Sequence, residues 1–275
     1  MTDWLEPELT RVAFCWRLDR RDGVSLGFTG HDRDLVVDGL SYAAAPGMVP
    51  SAVTRAEGFA VETLDVGGAL THDRISDADL AAGRWDGAAV RLFAVDWGDP
   101  DAMPVPLAQG EIGDVSARDG AFLAELWGAT ALLERPVVEQ TSPECRAVLG
   151  DRRCRVDMAG RSVVARIVAV EDGQVVIVDQ AGDADGVVDR HGGGRMRWLD
   201  GAGSGLSVGI VRSNGARIWL RDAPRFGIAA GNRVELTEGC DRSLATCAGR
   251  FGNAANFRGE PHLPGNDLLT RYPGE

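Results

Sequence analysis

Four of the five cysteines fall into two spaced pairs, Cys145 with Cys154 and Cys240 with Cys247. The pairs read C-x8-C and C-x6-C and lie far apart in the sequence. Thiolates hold zinc in closed tetrahedral sites and hold the irons of iron–sulfur clusters, so four cysteines from two segments suit either kind of site. A shared site would tie two distant segments together, which constrains the fold of everything between them.

Buried, inert thiols are the alternative, because free cysteine is among the most buried residue types. Cys145, Cys154 and Cys240 have charged neighbours in the sequence, which is unusual for core residues. Nearby arginines should lower the pKa of a thiol and prepare the thiolate for metal. The spacing differs from the C-x2-C pairs of common zinc modules and makes zinc the less favoured metal. The fifth cysteine, Cys15, lies in an apolar run and is expected to be a core thiol.

The 275-residue chain has a formal net charge of −12, and all 29 of its basic residues are Arg. An acidic surface repels nucleic acid and anionic membranes, so recognition of nucleic acid is not expected. No apolar stretch approaches the roughly 20 residues that span a bilayer, and the acidic start lacks the features of a signal peptide. We therefore expect synthesis in the cytoplasm, where disulfides are rare and clustered cysteines more often bind metal.

Short apolar runs bounded by Gly, Asp and Pro recur along the chain and predict a mainly β protein. In the first half their even spacing predicts a β-barrel or sandwich, with strands at 12–16, 35–37, 89–95 and 121–127. In the second half strands are expected at 162–170, 173–178, 196–199, 207–211, 216–221 and 233–236. Asp-Gly at 172–173 and Asn-Gly at 214–215 are typical hairpin turns.

One helix is expected at 76–82, begun by the capping residue Ser76 and ended by Gly83. A second short helix is predicted at 129–133. Residues 135–144 contain two prolines and little periodicity, as is typical of a connection between domains. The chain length suits one to two domains, and we predict two, at 1–138 and 139–275.

Other motifs have simpler interpretations. The glycine runs at 192–194 and 201–205 lack the strand–helix context of a dinucleotide fingerprint and predict turns. The aspartates at 183–189 resemble the start of a calcium loop without its closing Glu, and they predict an exposed acidic loop. The four histidines are scattered and no G-x-S-x-G nucleophile elbow is present, so we expect no enzyme activity.

The second half resembles a known family. The shared features are the run from Cys145 to Cys154, Gly239-Cys240-Asp241 with Thr246-Cys247, the segment 251–259 containing Asn253 and Asn256-Phe257-Arg258-Gly259, and Pro264-Gly265. They are similar to the tail hub proteins of siphophages and gene transfer agents, and the cysteine spacing also resembles that of the tail-tip protein of phage lambda. The first half resembles the same family more loosely.

The resemblance implies a structural protein of the virion, a baseplate hub at the tail tip in which three copies form a ring that closes the tube. It implies a [4Fe–4S] cluster held by Cys145, Cys154, Cys240 and Cys247, with an N-terminal ring domain and a C-terminal iron–sulfur domain. The implied partners are two further copies in a homotrimer, a distal tail protein, and central tail fibre or tail-tip proteins.

A segment after the last cysteine is expected to pack over such a cluster. We expect Asn253, Asn256, Phe257 and Arg258 to do so, either by donating hydrogen bonds toward sulfur or by excluding water. Two alternatives to a tail hub remain open, a cytosolic iron–sulfur redox protein and a zinc-stabilised binding module. A redox protein would need an exposed cluster and a docking face, and no flavin or nicotinamide signature lies beside the cysteines.

Overall fold

The computed structural model describes residues 3–45, 63–66, 74–118, 121–128, 138–180 and 186–263. The chain divides into two compact units, Met1–Val137 and Val138–Glu275. Both units are built mainly from β-strands, as the sequence predicts. Within the described ranges, no helix has the length and apolar character needed to cross a membrane.

The first unit contains one eight-stranded sheet. Its strands are β1 (Val12–Asp19), β2 (Ser25–Thr29), β3 (Leu35–Val37), β4 (Leu40–Ala44), β5 (Thr63–Val66), β6 (Ala89–Asp96), β7 (Val105–Arg118) and β8 (Ala121–Gly128). Their order across the sheet is β3-β4-β2-β1-β6-β7-β8-β5. The four strands predicted for this half are present, but the described strands form a single sheet, and the closed barrel lies in the second unit. Strand spacing predicts where strands occur and leaves their pairing order open, which explains the difference.

The centre of this sheet is buried on both faces. In β1, Trp16 belongs to one apolar cluster together with Phe28 and Trp85, whereas the adjacent Cys15 belongs to another with Tyr42. Successive residues of a strand point to opposite faces, so both faces of β1 are covered. Cys15 is fully buried, which confirms that it is a core thiol, and burial raises its pKa.

The predicted helix is present as α1 (Asp77–Ala81). The hydroxyl of Ser76 accepts a hydrogen bond from the N–H of Asp79 at 3.1 Å, and Gly83 follows with a φ of +74°. Both end signals therefore act as predicted. The second predicted helix, at 129–133, lies outside the described residues.

The second unit is built around a closed six-stranded barrel. Its strands are β9 (Ser162–Glu171), β10 (Val175–Val178), β11 (Arg195–Trp198), β12 (Ser207–Asn214), β13 (Arg217–Leu220) and β14 (Arg233–Thr237), in the order β10-β13-β12-β11-β14-β9. All six predicted strands are present. Alternate side chains fill the interior, including Met196, Trp198 and Ile210, and Phe226 packs edge-on against Trp198. The three-residue turn between β9 and β10, at 172–174, has positive φ at both Asp172 and Gly173, so the predicted Asp-Gly step does lie in a hairpin turn.

The cysteine segments lie outside the barrel strands. Residues 138–161 precede β9, and after β14 the chain forms α2 (Leu244–Gly249) and a 3-10 helix at Ala254–Asn256. Helix α2 was not predicted, although Ser243 caps it by accepting a hydrogen bond from the N–H of Thr246 at 3.1 Å. With six residues, α2 is too short to show helical periodicity in the sequence.

Candidate metal centre

Barrel closure explains how the two cysteine pairs come together. β9 and β14 are antiparallel neighbours, and Ser162 at the start of β9 is the cross-strand partner of Thr237 at the end of β14. The chain therefore enters β9 and leaves β14 at the same edge of the barrel. Cys154 lies shortly before that point and Cys240 shortly after it, so the fold directs both segments to one place.

Backbone hydrogen bonds fasten the two segments to each other. The N–H of Cys145 donates to the carbonyl of Arg242 at 2.9 Å, and the N–H of Arg146 donates to the carbonyl of Arg258 at 3.0 Å. The side-chain amide of Asn253 donates to the carbonyl of Cys154 at 2.6 Å. The first cysteine segment is thus bonded to both the second cysteine segment and the segment that follows it.

The thiols are partly or fully buried and interact electrostatically. Cys154 and Cys247 are each 8% exposed, and Cys145 and Cys240 are half-buried. Burial raises the pKa of Cys247, and the negative charges of Cys145, Cys240 and Cys154 raise it further. The other three thiols therefore all lie within electrostatic reach of Cys247.

The pKa of Cys240 is also raised, chiefly by burial, while a backbone hydrogen bond from Arg242 opposes the shift and the charges of Asp241, Cys145 and Cys154 add to it. The expectation that neighbouring arginines lower the thiol pKa is therefore wrong for Cys240. Proximity in sequence does not bring a guanidinium to the sulfur, and burial together with like charges dominates.

Nitrogen donors point at three of the four sulfurs. The backbone N–H of Arg258 donates to Sγ of Cys145 at 3.3 Å, and that of Arg242 donates to Sγ of Cys240 at 3.3 Å. The Nδ2 of Asn253 lies 3.7 Å from Sγ of Cys154, and Asn256 fixes that side chain by donating to its Oδ1 at 2.7 Å. Donation toward sulfur, one of the two roles expected of this segment, is therefore observed for Asn253 and Arg258, whereas the packing of the segment over a cluster stays a prediction. Such donors stabilise thiolates and tune the clusters that thiolates hold.

No single-ion site is assembled in the described part of the chain. There, no group of three or more His, Cys, Asp or Glu side chains converges closely enough to hold one metal ion. The four cysteines are thus brought into one region, bonded through their backbones, without meeting at a common point.

Three glycines, Gly193, Gly194 and Gly239, allow the second cysteine segment to approach the barrel edge. A Cβ on Gly239, the residue before Cys240, would overlap the backbone of Gly192, Gly193 and Gly194. A Cβ on Gly194 would in turn overlap the carbonyl oxygen of Thr237. The run at 192–194 does form a turn, as predicted, but its support of Cys240 was not predicted. A glycine run in a turn combined with a glycine beside a candidate ligand is the signal that could have suggested it.

A buried carboxylate joins the cysteine segments to the barrel. Glu238 lies directly after β14, is 7% exposed, and accepts hydrogen bonds from Arg161 at 2.8 Å, Arg190 at 2.7 Å and Arg250 at 3.0 Å. Burial acts to raise the pKa of Glu238, but these guanidinium groups lower it overall. Arg161 and Arg250 also contact the ring of Phe251, at 5.1 and 4.9 Å from its centroid.

We expect Glu238→Gln to destabilise the second unit strongly. The substitution leaves three partly buried guanidinium groups around a neutral amide, and removing one partner of a buried ion pair costs about 3–5 kcal/mol. The matched control is Glu171→Gln, because Glu171 pairs with Arg217 at the surface and exposed pairs contribute about 0–1 kcal/mol. Chemical denaturation gives the free energy of unfolding of both variants. An equal decrease in the two variants would contradict the role assigned to Glu238.

Asp151 shapes the loop between the first two cysteines. Its Oδ1 accepts hydrogen bonds from the N–H groups of Cys154 at 2.6 Å and Arg153 at 2.8 Å, and its Oδ2 accepts one from Val148 at 2.9 Å. These hydrogen bonds lower the pKa of Asp151, and the bond from the N–H of Cys154 has the largest effect. One ionised carboxylate thus organises most of the turn that presents Cys154.

Asp151→Ala is expected to lower the free energy of unfolding by about 1–2 kcal/mol, which is the typical cost of losing a capping side chain. If the four cysteines hold a metal centre, the variant should also bind less metal. The control is Asp157→Ala, since Asp157 accepts one N–H bond, from Ala159, outside the loop between the cysteines. Metal analysis and thermal unfolding of the two variants make the comparison. If both retain metal equally, Asp151 does not position the ligands.

Comparison with known proteins identifies the class. A family model described as "Baseplate hub protein, N-terminal attachment domain" matches residues 1–157. A second, described as "Phage conserved hypothetical protein BR0599", matches residues 190–267. None of the curated proteins matches this chain.

A solved structure extends the likeness to the whole chain. A chain of the structure described as "Virion of native gene transfer agent (GTA) particle" is 40% identical, with a TM-score of 0.85, and the match covers 99% of this chain and 95% of that chain. The protein is therefore of the class of structural virion proteins found in phage-like tails. Since the first model matches more than half of its residues, the chain belongs to the baseplate hub protein family. This confirms the resemblance seen in the sequence and locates the protein in the virion tail.

Proposed function

We propose that this hub protein closes the tail tube as a homotrimeric ring. Residues 1–138 would form the ring domain and residues 139–275 an iron–sulfur domain at the tip. The observation that carries the proposal is the match over 99% of the chain to a protein of a gene transfer agent virion. The description of the matched N-terminal model as an attachment domain supports contact of the first unit with a distal tail protein, and central fibre or tail-tip proteins would contact the second.

A structural role requires no catalysis. The family and the matched virion chain are described as particle components. Head-to-tail contacts between identical chains generate closed rings when the rotation closes. The ring would thus need only complementary surfaces on its two sides.

The test of this proposal is a complementation experiment in a particle-producing strain. Deleting the gene should leave tails without a closed tip, and supplying the gene again should restore complete particles. Reconstruction of the restored tail tip by electron microscopy should show three copies of the chain around the tube axis. Particles with normal tips in the deletion strain, or a different number of copies, would contradict the proposal.

The four paired cysteines would hold a [4Fe–4S] cluster in the second unit. The support is the donor set itself, four cysteines within electrostatic reach, together with nitrogen donors directed at three sulfurs. In such a cluster each thiolate binds a different iron, so the sulfurs stand farther apart than around one ion. Tetrahedral zinc with bonds of about 2.3 Å would instead require all four sulfurs to meet at one point.

Bound in this way, the cluster would cross-link four thiolates from two segments. It would close a loop that contains the whole barrel, from Cys154 to Cys240. In chain-entropy models, closing a loop of this length stabilises the fold by about 4–5 kcal/mol. Residues that shape the cysteine segments, such as Asp151 and Gly239, would position the ligands, and Asn253 would donate toward sulfur.

A further inference from the structure

The charge of this chain is distributed unevenly between its two units. Residues 1–137 contain 11 Arg against 23 Asp and Glu, which is a net charge of −12. Residues 138–275 contain 18 of each, which is a net charge of zero. The net negative charge of the protein therefore resides in the first unit, so a basic surface of the second unit would find its acidic complement on a first unit.

The second unit has such a basic surface, in a cavity of about 610 Å³ beside the cysteine segments. The barrel edge forms one wall and the loops around Val148 and Cys240 form the other. Ligand pockets have volumes of roughly 300–1,000 Å³, so the cavity can receive several side chains. Its lining combines apolar groups, including Leu149 and Met158, with three arginines, Arg195, Arg221 and Arg242.

These three guanidinium groups are exposed, and within the described ranges none of them has an ion pair or a side-chain hydrogen bond. Glu238 at the same cavity is already bonded to three other arginines, so it does not neutralise them. Glu235 is the other acidic residue of the lining. The cavity therefore carries an excess of uncompensated positive charge.

The fold directs the three arginines to one place. Arg195 on β11 is the cross-strand partner of Gly209 on β12, and a Cβ on Gly209 would lie 3.4 Å from Nε of Arg221. Arg195 and Arg221 thus flank the same glycine. Arg242 has a φ of +61°, which non-glycine residues rarely adopt, and its N–H and carbonyl are both bonded to cysteine residues. Strained backbone of this kind is concentrated at binding and functional sites.

A loop of the first unit has the complementary chemistry. Residues 97–103, between β6 and β7, carry the exposed carboxylates Asp99 and Asp101 and the exposed side chain of Met103. No bond to either carboxylate side chain occurs among the described residues. The loop is ordered, because the N–H groups of Asp99 and Ala102 bond within the turn at 3.1 and 3.0 Å, and Trp4 donates to the carbonyl of Met103 at 3.1 Å. An ordered loop binds with little loss of conformational entropy.

We infer that the arginine-lined cavity of one copy receives the acidic loop 97–103 of a neighbouring copy. Asp99 and Asp101 pair with the guanidinium groups, and Met103 packs against the apolar part of the lining. The contact joins two different surfaces and is therefore head-to-tail, as ring closure requires. This inference rests on the proposed assembly of several copies at the tail tip.

Because the chain contains no lysine, a single introduced amine reports the contact. Arg195→Lys keeps the charge, and particles carrying it are treated with a carbodiimide, which couples an amine to an adjacent carboxylate. We expect a product of twice the chain mass on a denaturing gel, with the introduced amine linked to Asp99 or Asp101 by mass spectrometry. The control is Arg166→Lys on β9, an exposed arginine outside the cavity, which should give no such link. The product should be lost when Asp99→Asn and Asp101→Asn are combined with Arg195→Lys.

A link from the introduced amine to another tail protein, or no dimeric product from particles that contain the chain, would overturn the inference and leave the proposed hub function intact. Absence of the chain from the particles would overturn both. Charge reversal gives a second measurement. Arg195→Glu and Asp99→Arg should each reduce incorporation of the chain into particles, and the double variant should restore it. Failure of the double variant to recover would also count against the contact.

Discussion

Replacing Cys240 with serine is expected to abolish the brown colour that the proposed [4Fe–4S] cluster would give the anaerobically purified protein, and to lower the free energy of unfolding of the second unit by about 4–5 kcal/mol. The reason is the loop that the cluster would close around the barrel. Cys240 is half-buried, so the small change from thiol to hydroxyl removes little packing. The decrease in the free energy of unfolding should therefore reflect the missing cross-link rather than lost packing of the side chain.

The control for this prediction is Cys15→Ala. Cys15 is fully buried in the other unit, so the substitution leaves a small cavity and is expected to cost about 1 kcal/mol. It should keep the full visible absorption. Anaerobic absorption spectra and denaturant titrations are the measurements, and a Cys240→Ser protein that is as brown and as stable as the parent would refute the predicted ligand role.

Gly239→Ala has the second large expected effect. The added methyl group would overlap the backbone of three residues in the turn at 192–194, and backbone atoms cannot yield as the end of a flexible side chain can. Overpacking typically costs about 1–3 kcal/mol and sometimes more, and this site belongs at the upper end. The displaced backbone includes Cys240, so the protein should lose the proposed cluster as well as stability.

Gly249→Ala is the matched control near the other cysteine of the pair. Gly249 ends α2 two residues after Cys247, and a Cβ there would meet nothing within 4 Å. Alanine is favoured over glycine in helices by up to about 1 kcal/mol, so this variant should be unchanged or slightly more stable. The measurements are the thermal unfolding and the metal content of the Gly239→Ala and Gly249→Ala variants. Equal behaviour would mean that the close approach of Gly239 to the turn is not essential.

Much of the fold could be predicted from local patterns. Short apolar runs bounded by turn residues predicted every strand that was named, and Ser76 with Gly83 predicted both ends of α1. Pairing order could not be predicted, because the period of two fixes the face of a residue and leaves its neighbouring strand undefined. The closed barrel of the second unit and the single described sheet of the first were therefore known only from the structure.

The candidate site was predictable to a similar degree. Cysteine spacing singled out the four thiols, and the segment after the last cysteine was expected to donate toward sulfur or to exclude water. The adjacency of Ser162 and Thr237, which brings the cysteine pairs together, depends on barrel closure. The raised pKa values of Cys240 and Cys247 depend on burial, which cannot be inferred from the neighbouring residues in the sequence.

The most direct test of the proposed cluster is the iron and acid-labile sulfide content of the anaerobically purified full-length protein. A [4Fe–4S] cluster predicts about four irons and four sulfides per chain, together with broad visible absorption. Stoichiometric zinc in a colourless protein, or a stable fold that contains no metal, would contradict the iron–sulfur cluster. The membership of the chain in the baseplate hub family would then stand without it.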